Sequence, residues 1–116
     1  MMTLIRVTSS ITAAVAVALI VTPDAWAQRD FSTVQIQAHH VSGSVYYLEG
    51  AGGNIVLSSG DDGVVMIDDQ FAPLTDKIVA AIGELNDGAI RFVINTHVHP
   101  DHTGGNENLG RMGIDI

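Results

Sequence analysis

Two apolar runs separated by an amphipathic segment constrain the fold of this chain more than any other feature of its sequence. The first run is VVMID, residues 64–68, and the second is IRFVINT, residues 90–96. Between them, apolar residues recur at helical spacing from residue 74 to residue 85, with Asp76 in the first turn and NDG after the last. A strand, a helix and a second strand in this order predict a crossover unit, in which both strands lie parallel in one sheet.

The residues before this unit have the pattern of antiparallel strands. Val34, Ile36 and Ala38 alternate with polar residues, and the β-rich runs SVYYLEG and NIVLSSG are joined through GAGGN, whose glycines suit a tight connection. A further turn, SSGDDG, precedes VVMID. The sequence therefore predicts a mixed α/β (α+β) fold, with antiparallel strands first and a helix-linked parallel pair after them.

The first 27 residues have the layout of a secretory signal peptide. Arg6 supplies a positive charge near the start, ITAAVAVALIV at 11–21 an apolar core, and AWA at 25–27 a small-residue cleavage site. The apolar core is shorter than the roughly 20 residues that cross a bilayer. We therefore expect cleavage after Ala27, a periplasmic or secreted protein beginning at Gln28, and no stable membrane anchor after cleavage. An uncleaved anchor is the alternative.

The negative net charge limits the possible partners, and the lack of cysteine limits the possible metal ligands. The formal net charge is −8, and loss of the signal peptide removes Arg6 and Asp24, which cancel. Because phosphate binding needs a cationic face, we expect no nucleic-acid partner. Without cysteine, a metal site in this chain can use only nitrogen and oxygen ligands.

The stretch NTHVHPDHTGGN, residues 95–106, concentrates histidine and aspartate directly after an apolar strand. His97 and His99 stand two residues apart, so in an extended segment their imidazoles lie on the same side and can converge on one ion. Asp101 continues this period, whereas His102, its neighbour in sequence, points elsewhere. Two neighbouring ions, one held by the first pair and one by the second, are the simplest use of all four side chains.

Proline and glycine within this stretch bear on its local structure. Pro100 disfavours a helical conformation for the residue before it, so the helical His-x-x-x-His arrangement found in some zinc enzymes is not expected. Gly104 and Gly105 let the backbone pass close to a crowded site, and we expect a short helix to begin near Thr103. The alternative is that the histidines are surface or core residues, but their spacing favours metal binding.

The motif THVHPDHTGGN resembles the His-x-His-x-Asp-His signature of the metallo-β-lactamase superfamily, and the preceding order of strands, helix and strand is similar too. The resemblance covers Val34 to the end of the chain and implies the first half of an αββα sandwich. It also implies two metal ions per complete domain, usually Zn²⁺, with other divalent metals possible. His97 and His99 would bind the first ion, and Asp101 and His102 the second.

The same resemblance suggests roles for other polar residues. Asp68, at the end of VVMID, would support the ligands from behind through hydrogen bonds that fix their orientation, and Asp69 is expected to face away. His102 stands where some members have arginine, so the chain looks more like the branch with a full second metal site. His39 and His40, in an early strand, are expected to be structural or surface groups rather than ligands.

The chemistry implied by the resemblance is hydrolysis of a small-molecule substrate. A metal-bound hydroxide would attack an ester, thioester, lactam or related bond, and Asp101, as the catalytic residue, would hold the water and take part in its proton transfers. The signature does not specify the substrate.

The sequence after Arg111 contains none of the later ligands that the family supplies, namely a third histidine for the first ion, a bridging aspartate and a last histidine. A domain of this kind needs roughly 200 residues or more. Residues 28–116 are therefore expected to be the N-terminal portion of a longer, truncated domain and to be inactive alone. Two alternatives stay open: a small exported metal-binding protein without catalysis, and a fragment that pairs with a partner through open strand edges.

Overall fold

A five-stranded sheet runs through the structure, a computed structural model that describes residues 29–116. Strands β1 (Gln37–Ser42), β2 (Val45–Glu49), β3 (Ile55–Gly60) and β4 (Gly63–Ile67) are successive antiparallel neighbours, and the antiparallel arrangement of the first three was predicted. Strand β5 (Ile90–Ile94) lies parallel to β4, which gives the order β1-β2-β3-β4-β5. The expected signal peptide lies outside the described residues. Within 29–116, no helix is long and apolar enough to span a membrane.

The connection between β4 and β5 is helical, which confirms the predicted crossover unit. A 3₁₀ turn, Ala72–Leu74, leads into helix α1 (Thr75–Leu85). Two short helices follow β5, α2 (Pro100–Thr103) and α3 (Asn106–Arg111). The mixed α/β class expected from the sequence is therefore present, with the helices placed after the antiparallel strands.

One face of the sheet and the helices enclose the core. The register pairs Tyr46 with Leu57, Leu57 with Met66, and Met66 with Val93, so these side chains share a face. The nearly fully buried apolar residues include Leu48, Leu57, Met66 and Val93 from the sheet, Ile78 and Ile82 from α1, and Leu109 from α3. Burial of an aliphatic side chain of this size stabilises the fold by about 1.5–3 kcal/mol.

The opposite face of the sheet, here called the outer face, keeps apolar side chains in contact with solvent. Val56 pairs with Ile67 and Ile67 with Ile94, so the three form a row across β3, β4 and β5. Ile94 and Phe92 on β5 are 53% and 50% exposed. In the αββα sandwich that the sequence resembles, a second sheet would cover a face of this kind.

Lys77 of α1 ties down the segment that precedes β1. Its Nζ donates hydrogen bonds to the carbonyl oxygens of Phe31, Ser32 and Val34, at 3.0, 2.9 and 2.7 Å. The alternation that begins at Val34 predicts an earlier strand start than the one observed, since β1 begins only at Gln37. The carbonyl of Val34, the first residue of that alternation, binds Lys77 and not a neighbouring strand.

Candidate metal centre

The histidine cluster lies where the parallel strands β4 and β5 end at the same edge of the sheet. The backbone N–H of Asp68 donates to the carbonyl of Ile94 at 2.9 Å, which extends the ladder by one bond. The chain then turns sharply, with φ of 65° at Asp68 and 57° at Gln70. Non-glycine residues rarely adopt such angles, and backbone strain of this kind concentrates at functional sites.

The carboxylate of Asp68 is the centre of a hydrogen-bond network behind the cluster. It accepts from the backbone N–H of Thr96 at 2.7 Å, from the Thr96 hydroxyl at 2.8 Å and from Nδ1 of His102 at 2.7 Å. Burial alone raises the pKa of Asp68, but the hydrogen bonds from Thr96 and His102 outweigh burial and lower it. The charged carboxylate therefore keeps the His102 proton on Nδ1 and leaves Nε2 free for a ligand.

His97 and His99 face each other in the extended segment after β5. Nε2 of His97 lies 3.1 Å from Nδ1 of His99, and both residues are exposed. Two nitrogens on one tetrahedral zinc, with bonds of about 2.0–2.1 Å, are about 3.3 Å apart. This pair therefore needs little movement to hold one ion.

Asp101 and His102 lie in a helix rather than in an extended segment. The extended period expected at Asp101 is wrong, as is a helix start near Thr103, because α2 begins at Pro100. Proline lacks an N–H and has a φ suited to the first helical position, while His99 before it stays extended. Oδ2 of Asp101 nevertheless lies 3.5 Å from Nε2 of His102, a separation that also suits two ligands of one ion.

Each pair fits a metal ion only in part. Across residues 29–116, no three histidine, aspartate or glutamate side chains are arranged to hold one ion. The rings of His97 and His102 are 4.0 Å apart between centroids, so the two pairs adjoin. Imidazole and carboxylate ligands suit zinc and other divalent metals. The donor set therefore has the chemistry of a divalent-metal site, and neither pair is by itself a complete set of ligands.

The loop between β2 and β3 packs against His102, and Gln70 fixes its position. A Cβ on Gly53 would overlap the His102 ring, so only glycine permits this approach. The fully buried Gln70 donates from its amide to the carbonyl of Gly53 at 2.7 Å and accepts from the N–H of Ala51 at 3.3 Å. Sequence reasoning assigned GAGGN to a connection but missed Gln70, because no sequence pattern marks a glutamine that clamps a distant loop.

Asp69 points into the protein, towards the turn after α2, and not into the histidine cluster. It is 1% exposed, and its Oδ1 accepts from the N–H of Gly105 at 2.9 Å, while its own N–H donates to the carbonyl of His102 at 3.0 Å. Burial raises the pKa of Asp69 to about 6; the Gly105 hydrogen bond opposes this shift and the charge of Asp68 adds to it. No sequence pattern marks this contact between Asp69 and the turn after α2.

Asp69→Asn is expected to remove part of the pH dependence of stability. Because the pKa of Asp69 is higher in the folded chain than its ordinary value of 3.8, folding favours the protonated form. The free energy of unfolding therefore falls by about 3 kcal/mol as the pH rises from about 4 to above 6. Urea titrations in a chelating buffer should show this fall in the wild type and a smaller fall in Asp69→Asn. Asp61→Asn, at an exposed turn position, controls for the lost charge; parallel curves for all three proteins would contradict the prediction.

His39 and His40 lie on the edge strand β1, outside the cluster. The ring of His39 stacks on Tyr47 with centroids 4.6 Å apart, and its Nε2 is 3.3 Å from a carboxylate oxygen of Glu49. Nε2 of His40 is 3.0 Å from the carbonyl oxygen of Gly43. Both rings therefore make contacts within the β1–β2 hairpin.

Most of the described region matches the model of a known protein family. The model of the metallo-beta-lactamase superfamily matches residues 40–111. A curated relative, the cytoplasmic hydroxyacylglutathione hydrolase of Arabidopsis thaliana, is 39% identical over 59 residues, which cover 51% of this chain and 20% of the relative. The chain thus spans about a fifth of that relative's length.

Solved structures give the same picture of a partial match. The Rm3 metallo-beta-lactamase superposes with a TM-score of 0.57 and 33% identity, over 64% of this chain and 28% of that one. The class B3 di-zinc metallo-beta-lactamase LRA-12, from an Alaskan soil metagenome, gives a TM-score of 0.63 over 75% of this chain and 34% of that one. Its identity of 16% makes this second likeness one of fold alone.

Proposed function

The chain belongs to the metallo-β-lactamase superfamily, and from this membership we propose that it forms part of a hydrolase with two adjacent metal sites. His97 and His99 hold one ion, and Asp101 and His102 hold the other. The observation that carries the proposal is the spacing of the donor atoms, 3.1 Å within the first pair and 3.5 Å within the second. Zinc is the metal that this donor set favours, and other divalent ions are compatible with it.

Different side chains of the protein have different roles in such a site. A bound divalent ion lowers the pKa of water towards about 7, which makes hydroxide available at neutral pH. Asp101 orients the attacking water and takes part in its proton transfers. Asp68 holds the His102 ring in place, and Gln70 keeps the β2–β3 loop against that ring. Ligand orientation by such outer partners is worth about 10- to 100-fold in metal affinity or activity.

We further propose that residues 28–116 form the first portion of a longer superfamily domain. Three observations support this assignment: each pair of ligands is incomplete within the described residues, the outer face is apolar and half exposed, and the matched segment covers only 28% and 34% of the two matched structures. The remaining ligands would then come from the other part of the domain, as the family pattern implies. This assignment makes the chain inactive on its own.

The substrate that we propose is a small molecule with a hydrolysable acyl bond, such as an ester, thioester or lactam. The matched relatives are named a hydroxyacylglutathione hydrolase and β-lactamases. We also propose export to the periplasm or the medium, because residues 1–27 have the layout of a signal peptide, although the curated relative is named as cytoplasmic.

Zinc titration tests the ligand assignment. In competition with a chromophoric chelator, the full chain is expected to bind Zn²⁺ weakly, because two imidazoles leave half of a tetrahedral shell to water. His97→Ala is expected to weaken this binding by at least about 10-fold, since it removes a direct ligand and not merely a group behind one.

His40→Ala is the matched control, because it removes an exposed histidine that lies on β1, outside the cluster. Its zinc affinity should equal that of the wild type. A tight stoichiometric site that survives His97→Ala would mean that the cluster has been misassigned, and would favour a small metal-binding protein that uses other ligands.

A further inference from the structure

The side chain of Thr96 lies between the buried carboxylate of Asp68 and the imidazole of His97. Its Oγ1 is 2.8 Å from Oδ2 and 3.0 Å from Oδ1 of Asp68, and 2.9 Å from Nδ1 of His97. The carboxylate thus reaches His97 through one hydroxyl, whereas it contacts His102 directly at 2.7 Å. One carboxylate is therefore connected to one histidine of each proposed ligand pair.

The available protons determine which group donates and which accepts in the hydrogen bonds from Asp68 through Thr96 to His97. An ionised carboxylate can only accept, so the single hydroxyl proton of Thr96 is donated to Asp68. The oxygen of Thr96 then has only lone pairs to offer His97, and a hydrogen bond between them requires the proton to be on Nδ1 of His97. On a neutral ring, Nε2 of His97 then keeps its lone pair, and this atom lies 3.1 Å from Nδ1 of His99.

From this geometry we infer that Thr96 is a positioning residue, whose hydroxyl sets the tautomer and ring orientation of His97 on behalf of Asp68. The result is that Asp68 prepares Nε2 of both His97 and His102 for metal binding, one through Thr96 and one directly. The expected tautomer of His97 does not require a bound metal, whereas the expected effect on Zn²⁺ affinity rests on the proposed function.

A second hydrogen bond between Thr96 and Asp68 allows the role of the hydroxyl to be distinguished from a general structural role of Thr96. The backbone N–H of Thr96 also donates to Oδ1 of Asp68, at 2.7 Å, and this bond persists whatever the side chain is. Removal of the hydroxyl therefore leaves Asp68 anchored and leaves its bond to His102 in place, while it disconnects His97.

Thr96→Val and Thr96→Ser are the variants that test this inference in the metal-free full chain. Valine has the shape of threonine without the hydroxyl, and serine keeps the hydroxyl. Long-range ¹H–¹⁵N correlation spectra of the imidazoles report which nitrogen carries the proton. We expect His97 to be protonated on Nδ1 in the wild type and in Thr96→Ser, and to shift towards the Nε2 tautomer in Thr96→Val. His102 should stay protonated on Nδ1 in all three proteins, which makes it the internal reference.

Asp68→Asn adds a contrasting pattern, because it should alter the tautomers of His97 and His102 together. Circular dichroism checks the fold of each variant, and Thr96→Ala, which also removes the hydroxyl, replaces Thr96→Val if the valine does not fit. A wild-type His97 protonated on Nε2, or a His97 tautomer unchanged in the hydroxyl-free variant, would overturn the inference.

Zinc affinity provides the second measurement. Thr96→Val should bind Zn²⁺ about 10- to 100-fold more weakly than the wild type, the usual effect of losing a partner behind a ligand, and Thr96→Ser should restore the affinity. If the tautomer shifts as expected but the wild type binds no zinc, the proposed function fails while the role of Thr96 stands. If zinc binds at His97 but the His97 tautomer does not respond to substitution of Thr96, the role of Thr96 fails while the proposed function stands.

Discussion

Asp101→Asn is expected to lower zinc-dependent kcat/KM by more than about 100-fold in a form of the protein joined to the remaining part of a superfamily domain. The substitution removes a charged metal ligand and also the group that orients the attacking water. Loss of a partner one step behind the ligands already costs about 10- to 100-fold, so loss of a ligand should cost more. Hydrolysis of chromogenic β-lactam and thioester reporters, with and without a chelator, measures the effect.

Two comparisons make this prediction specific. Asp87→Asn removes an exposed aspartate from the loop before β5 and should leave kcat/KM unchanged. The 116-residue chain alone should hydrolyse no reporter faster than buffer with zinc, because catalytic groups need a supporting shell that holds them within roughly 0.5 Å. Chelator-sensitive turnover by this chain alone would refute the proposal that the site is completed by a longer domain.

Gly104→Ala is expected to destabilise the fold by about 3 kcal/mol, at the upper end of the usual cost of overpacking. A Cβ at this position would lie 2.6 Å from the carbonyl oxygen of Pro100, 2.7 Å from that of Gln70 and 2.9 Å from Cα of Phe71. All three are backbone atoms, so no side-chain rotation can relieve the contacts. Either α2 or the turn after β4 has to move, and both carry groups of the candidate metal centre.

Gly110→Ala is the matched control, because the same substitution meets no atom within 4 Å there. Gly110 lies in α3 and is exposed, so alanine should stabilise the chain by about 0.4–1 kcal/mol through the lower entropy of its unfolded state. Urea midpoints of the two variants should therefore move in opposite directions. A Gly104→Ala midpoint equal to that of the wild type would show that α2 is not packed as closely as described.

The fold could be predicted wherever the sequence carries a clear period. Alternation and apolar runs located the strands, and the change to helical spacing after Pro73 located α1 and with it the parallel pairing of β4 and β5. The start of β1 was predicted too early, and the contact of Val34 with Lys77, which is distant in sequence, could not be read from the alternation. The start of α2 was misplaced because Pro100 has two opposite effects, disfavouring helix before itself and favouring helix from itself onwards.

The candidate site also contains residues that the sequence pattern identified and residues that it did not. His97, His99, Asp101 and His102 could be assigned as candidate ligands because their spacing is local in the sequence. Of the groups behind them, Asp68 was assigned through the family resemblance, whereas Gln70 and the contacts of Asp69 were missed. The positive φ at Asp68 and Gln70 decides where the side chains after β4 point, and nothing in a non-glycine sequence signals such a backbone angle. The clamp made by Asp69 on Gly105 follows from that turn.

The order of the strands has a consequence for how the chain folds. Each strand from β2 to β4 pairs with the strand before it in sequence, and structures built from local contacts fold faster than those built from distant ones. We therefore expect the four-stranded meander to form first, as soon as its residues are available. We expect β5 to dock after α1 has folded, and this step brings the imidazole of His102 to the carboxylate of Asp68. The last step of assembly is thus the one that would complete the proposed metal site.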